Sequence, residues 1–320
     1  MDAGAARDAI ERALLRTAAR DVAPLGAAVR GQLGDLAALL AGAATAGRRI
    51  GLVTGVHIAW APRPAAETDG PVGTAVLARA LALLGGVPVV LTDAWCGPVV
   101  DACLAAAGCG PAVVLPGTAT EDDVRTAVAA LDPAALVAVE RLGPNRSGRV
   151  LTMRAVDITA STAPLHVAFD LPGLATGAVG DGGNEIGMGN VPLEVVAGAV
   201  RHGAEIACRT AVGSLVVAGT SNWGCYGLVA ALARAVPDRA GALLALLTPD
   251  LDTALLAAAS AAGGIDGVTG EPGLSVDGVA VADYADLFDD LVRLGSGAWQ
   301  TDRAPTPHRS PSGCGPAACG

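Results

Sequence analysis

Ile50-Gly51-Leu52-Val53-Thr54-Gly55-Val56, introduced by Arg48 and Arg49, is a short apolar run rich in branched residues, as expected of a strand buried on both faces of a parallel sheet. A polar loop follows, and Pro71 then stands where the first turn of a helix tolerates a missing amide hydrogen. Val76, Leu77, Ala80, Leu81 and Leu84 recur at helical spacing until Gly85-Gly86 stops the helix, and residues 87–93 read as the next strand. Strand, helix, strand in that order is a βαβ unit.

Outward from this unit the alternation continues. The sequence predicts a helix over 99–107, a strand over 112–115, a helix capped near Thr120 and running to Leu131, and a strand over 135–139. Two later strands are expected over 174–179 and 213–218, a long helix over 240–262, and a closing amphipathic helix over 280–294. The fold class is therefore α/β, a doubly wound, mostly parallel sheet flanked by helices on both faces, Rossmann-like in outline. Residues 1–295 read as a single domain and 296–320, rich in Pro, Ser and Gly, as a disordered tail.

Composition narrows the function. The chain has 320 residues, of which 52% are hydrophobic and 16% charged, with a mean hydropathy of +0.50, enough to build a large core. All 21 basic residues are arginine. Without lysine there is no Schiff base for pyridoxal phosphate, no P-loop and no kinase phosphate site, so neither that cofactor nor a nucleotide is expected. A net charge of −10 disfavours nucleic acid and anionic lipid. Arg7, Arg12, Arg16 and Arg20 are interleaved with Asp2, Asp8, Glu11 and Asp21, which reads as an ordinary surface helix rather than a targeting peptide. No apolar run reaches the ~18 residues of a membrane span. These features predict a cytoplasmic protein and leave a homo-oligomer open. Seven scattered cysteines and four distant histidines give no zinc spacing.

Three of the eight glutamates fall in glycine-rich or strand-end segments, where α/β sheets collect their ligands. Glu67-Thr68-Asp69-Gly70-Pro71 ends where a helix begins, so Thr68 or Asp69 is expected either to cap that helix or to face an anion or metal there. Gly180-Asp181-Gly182-Gly183-Asn184-Glu185-Ile186-Gly187-Met188-Gly189-Asn190 fits neither a dinucleotide fingerprint nor a calcium loop. Its glycines permit close ligand approach, while Asp181, Glu185, Asn184 and Asn190 supply oxygen ligands and hydrogen bonds. Glu140-Arg141 stands at a strand end, and Ser221-Asn222 lies outside any GxSxG elbow, so both pairs read as substrate-holding groups rather than parts of a hydrolase triad. Asp157, Asp266 and Asp277 read as structural acids.

Taken in order, Thr54-Gly55, Glu67-Thr68-Asp69-Gly70, Glu140-Arg141, the 180–190 string and the Asp266-Gly267 and Asp277-Gly278 turns resemble the D-glutamate cyclase family over residues 10–295. The resemblance implies cyclisation of D-glutamate to 5-oxo-D-proline with loss of water, on a small amino-acid substrate. On that basis Glu67, Asp69, Asp181 and Glu185 are candidate catalytic groups, and Asp69, Asp181 and Glu185 candidate ligands of Mg²⁺ or Mn²⁺. Thr68, Glu140, Arg141, Asn184, Asn190, Ser221 and Asn222 are candidate substrate contacts, with Arg154 a competitor of Arg141. The rival readings are a cyclase for a related amino acid and a binding protein that senses one without turnover.

Overall fold

Six parallel strands, β1 (Arg49–Thr54), β4 (Val87–Asp93), β5 (Val113–Leu115), β6 (Ala135–Val139), β7 (Ala175–Gly180) and β8 (Ser214–Val217), form the central sheet of the computed structural model, which describes residues 3–16 and 18–297. Four two-residue strands make separate hairpins: β2 (His57–Ile58) with β3 (Ala65–Ala66), and β9 (Ser275–Val276) with β10 (Val279–Ala280). The sheet order is β5-β4-β1-β6-β7-β8. Each half is wound outward from the centre, so the order reverses between β1 and β6, the kind of switch point beyond whose carboxyl ends open α/β sheets bind their ligands.

Alternation along each strand feeds two cores. Ile50, Leu52, Val137, Val139, Val179 and Val216 face one layer, while Val53, Leu91, Leu136, Ala138, Ala178 and Leu215 face the other. The first is covered by α1 (Ala3–Leu14), α3 (Gln32–Thr45), α4 (Pro71–Leu83), α5 (Gly97–Ala106) and α9 (Ser221–Ala235). The second takes α2 (Ala23–Ala28), α6 (Glu121–Leu131) and α7 (Leu193–Ala199), and the single-turn α8 (Gly203–Ile206) follows α7. Thr120 and Asp123 bond each other's backbone amides in a capping box that starts α6.

The doubly wound sheet agrees with the sequence reading. β1 stops at Thr54 because Gly55 turns to φ +105°, a left-handed conformation where a Cβ would strike Cys96 at 2.7 Å. The long helix expected over 240–262 is instead α10 (Ala240–Leu244) and α11 (Pro249–Ala261). Pro249 has no amide hydrogen to continue a helix, and Thr248 caps the new start through the amide of Leu251. The closing helix, α12, covers Val281–Gly295. The opening helix is not a mere surface helix, because it buries Ile10 and Leu14 in the core. Of the expected tail, residues 298–320 lie outside the described residues. Among the described residues no single helix is long and apolar enough to cross a membrane.

Candidate active site

The turn after β3 and the start of α9 hold each other in place. Asp69 accepts the backbone N–H groups of Ser221 and Asn222, one on each carboxylate oxygen and both at 2.8 Å. Asn222 answers by accepting the amides of Gly70 and Gly73 at 2.9 and 2.7 Å and by donating to the Thr68 carbonyl. The orphan amides at the start of α4 are thus capped by the start of the adjacent helix α9, and those of α9 by the turn that leads into α4. This corrects the expectation that Thr68 or Asp69 caps α4: Thr68 donates instead to the Ser275 carbonyl. Contact is so close that a Cβ on Gly73 would meet the Asn222 backbone at 2.7 Å.

Around this clasp stand further acids. Glu140, the residue after β6, is in a left-handed conformation, φ +41°, and accepts the Ser221 hydroxyl at 2.5 Å. Gly70, at φ +90°, leaves the space it needs, since a Cβ there would come within 2.7 Å of the Glu140 Cβ. A non-glycine residue held in this region is strained, and such strain collects at functional sites. Asp69, Glu140 and Asp181 each place a carboxylate oxygen within 4.8 Å of the other two, and all three are buried. Glu67 is buried beside them, and Gly267 makes room for it: a Cβ at that position would lie 2.2 Å from Glu67 Oε2. Asp277, also in a left-handed turn (φ +51°), completes the group together with Arg20.

Arg20 donates to Asp181 at 2.5 Å and to Asp277 at 3.2 Å. The neighbouring acids in turn hold its guanidinium firmly protonated. Burial raises Glu67, Glu140 and Asp181 well above the ordinary carboxylate range, and repulsion from neighbouring acids adds to it. Asp277 is raised as well, again mainly by burial. Asp69 is pushed up to about 7, because burial and the charge of Asp277 outweigh the amides that favour its ionised form.

Eight buried side-chain polar atoms find no protein partner among the described residues: Thr54 Oγ1, His57 Nδ1, Thr74 Oγ1, Asp93 Oδ1, Arg141 Nε, Asp181 Oδ2, Asn184 Oδ1 and Trp223 Nε1. Thr54 and Asp93 end central strands and His57, Arg141, Asp181 and Asn184 lie in the segments that follow such strands, whereas Thr74 and Trp223 lie in the opening turns of α4 and α9. Orphaned polar atoms are costly and rare in a packed core, and six of these eight lie at or just past the carboxyl ends of central strands. Two surface hollows lie elsewhere: one of about 260 Å³ between α1 and α2, and one of about 420 Å³ beside His166 and Arg209. Neither includes an acid of this cluster.

The structure thus gathers Glu67, Asp69, Glu140, Asp181, Ser221 and Asn222 at the switch point, but it deploys other candidates differently. Glu185 is spent on its own loop: Oε1 accepts the amides of Asp181 and Gly182, and Oε2 that of Gly183. In the triad of mutually close oxygens, Glu140 stands where Glu185 was expected. Arg141 is no free clamp, since it is 1% exposed and bonded to Asp93 and to the carbonyls of Gly55 and Ala163. Asn190 ties down residue 212 through both its carbonyl and its amide group, outside the cluster. Asn184 donates to the Leu151 carbonyl. Arg154 stacks over Trp60 at 3.9 Å. The sequence reading missed Arg20 and treated Asp277 as structural. Asp266 is structural, accepting from Val268, Thr269, Ser275 and Gly278 to shape the turn that carries Asp277.

Over 101 residues the chain is 43% identical to human "D-glutamate cyclase, mitochondrial", a match that covers 30% of this chain and 16% of that protein. The family described as "D-glutamate cyclase-like, C-terminal" matches residues 16–292, a span that takes in every member of the acid cluster. The chain therefore belongs to the D-glutamate cyclase-like family.

Proposed function

We propose that the protein cyclises D-glutamate to 5-oxo-D-proline with release of water. The observation that carries this reading is the set of buried carboxyl groups, Asp69, Glu140 and Asp181 with Glu67 beside them, gathered at the switch point of the sheet. In the reaction the amine nitrogen forms a bond to the γ-carboxyl carbon and one C–O bond of that carboxylate breaks. Two protons leave the ammonium nitrogen and both end on the departing oxygen, so one shuttling carboxyl group can serve and is regenerated at each turnover. Because amine and carboxylate belong to one molecule, holding the chain curled supplies much of the rate, with effective molarities reaching roughly 10⁵–10⁸ M.

Glu67 is the proton carrier in this scheme. Its raised basicity suits it to take a proton from an ammonium group and to return it to the leaving oxygen. Ser221, its hydroxyl fixed on Glu140, and Asp69, fixed on the start of α9, hold the walls of the site rigid while water is excluded. Glu185 keeps the glycine loop in shape beneath Asp181.

Asp69, Glu140 and Asp181 would hold Mg²⁺ or Mn²⁺. Their oxygens suit a hard cation, and the buried, unpartnered Asp181 Oδ2 offers one a ligand atom. When bound, such a cation would relieve the repulsion among the acids and draw electrons from the γ-carboxylate. We keep the cytoplasm as the expected compartment.

Purified protein incubated with D- and L-glutamate, with and without Mg²⁺ or Mn²⁺, tests the reading by mass. The expected result is loss of one water from D-glutamate, abolished by chelation and restored by the cation. No product under any of these conditions would refute the cyclase reading. Full activity after metal removal, verified by elemental analysis, would leave the acid–base chemistry without the cation.

A further inference from the structure

Six carboxyl groups crowd the switch point: Glu67, Asp69, Glu140, Asp181, Glu185 and Asp277. Yet the substrate proposed above is itself an anion carrying two carboxylates. One of these reacts, while the α-carboxylate passes unchanged into the product and needs a cationic receptor. Neither arginine suggested by the sequence can serve. Arg141 is fully buried with both terminal nitrogens on Asp93 and two carbonyls, which leaves its Nε–H as the one unpartnered nitrogen and no pair of nitrogens free for a carboxylate, and Arg154 lies exposed over Trp60, bonded to the Val268 carbonyl.

Arg20 meets each requirement. Its segment is moored beside the site: the Gly219 amide, just past β8, donates to the Leu14 carbonyl, and Arg16 is anchored on Asp286 and Asp290 of α12. From there the guanidinium reaches Asp181 and Asp277 with one N–H each. Three of its five N–H donors are thereby left with no protein partner among the described residues. The Arg20 side chain is 18% exposed, against 3% for Asp181 and 6% for Asp277. An anion approaching from solvent therefore meets this cation before it meets the acids.

We infer that Arg20 is the receptor for the substrate's α-carboxylate, a fork held at the mouth of the site by Asp181 and Asp277 with its remaining donors turned to the ligand. A guanidinium pairs with a carboxylate through two parallel hydrogen bonds, which fixes orientation as well as charge. Anchoring the α-carbon in this way presents the amine and the γ-carboxylate to the acids behind. The assignment rests on the cyclase reading.

The test pairs Arg20→Ala and Arg20→Lys with two substrates, D-glutamate and D-isoglutamine, whose α-carboxylate is replaced by an amide while the reacting groups are kept. For the wild type, KM for D-isoglutamine should exceed that for D-glutamate by roughly 10- to 100-fold, as expected on losing a charge-assisted pair. In Arg20→Ala, KM for D-glutamate should rise by about the same factor while KM for D-isoglutamine barely moves, and Arg20→Lys should recover part of the loss. A structural role for Arg20 would raise both KM values equally, and that result overturns the assignment. Should the variants fail to fold, the wild type alone decides: equal affinity for the two compounds, measured by calorimetry, also overturns it. A wild type that neither binds nor converts D-glutamate removes the cyclase reading itself, an outcome distinct from turnover that ignores Arg20.

Discussion

Asp252 and Asp181 are both acids buried to within a few per cent, and burial raises both, Asp252 to about 6. Their surroundings differ completely. Asp252 lies among α9, α11 and α12, where each carboxylate oxygen accepts a phenol hydroxyl, one from Tyr226 and one from Tyr284, and the rings pack against Phe288 and Trp223. Both oxygens of Asp252 and both phenol hydroxyls are used. Asp181 has one oxygen on Arg20, the other without a partner, and several more acids alongside. A raised proton affinity therefore does not by itself separate a structural acid from a reactive one. What separates them is whether the neighbourhood supplies as many donors as the acid can accept.

The sharpest way to break the comparison is to neutralise each acid. Asp181→Asn keeps size and the acceptor for Arg20, so turnover should fall by about 10²-fold or more with the unfolding midpoint unchanged. Asp252→Ala strands two buried phenols and should lower stability by roughly 3 kcal/mol, with turnover per folded molecule unchanged. Paired kinetics and denaturant unfolding distinguish the two. If Asp181→Asn lost stability in proportion to activity, Asp181 would belong with Asp252.

Glu185 sharpens the comparison, since it lies in the reactive region but is bonded like the structural acid. Replacing it with Gln puts an NH₂ group against backbone amides that need an acceptor. A stability loss of roughly 2 kcal/mol is expected, with activity falling in step. Loss of turnover at constant stability would place Glu185 among the reacting groups.

The smallest effect is on pH dependence. Glu67, Asp69, Glu140, Asp181 and Asp277 all bind protons more tightly in the fold than in an unfolded chain, where carboxyl groups titrate near ~4. Their favourable contribution is thus complete below that value and is lost as pH rises through the folded values, about 7 for Asp69. In chelated protein the thermal midpoint should fall by at least roughly 3 °C between about pH 5 and pH 8, less steeply in Asp181→Asn. A midpoint that rises across this range would contradict the crowding of acids on which the site rests.

The sheet was legible because buried parallel strands demand what 50–54, 87–93 and 135–139 display: short branched runs separated by helical spacing. The break at Thr248-Pro249 was also written in the sequence, as a cap followed by a residue that cannot continue a helix. Glu67, Asp69, Glu140 and Asp181 are singled out by their positions just past strands, whereas Asp277 reads as structural in the sequence. Arg20 was not legible, because nothing local to residue 20 announces partners 161 and 257 residues away. Arg141 misled for the same reason in reverse: its position just past β6 suggests a substrate contact, but Asp93, ending β4 on the far side of β1, claims it first.

The exchange of caps between the starts of α4 and α9 has a consequence for how the molecule comes into being. On the ribosome the turn at Asp69 is made long before residue 222, and until Asn222 arrives the amides of Gly70 and Gly73 have no acceptor other than solvent. The later helix, in turn, needs the earlier turn for the amides of Ser221 and Asn222. A chain cut between the two would yield fragments that each carry an unfinished helix end, and the two ends are complementary. The clasp thus ties the reactive centre to completion of the chain: a half-synthesised protein has no half-working site, and two severed halves regain one only by finding each other.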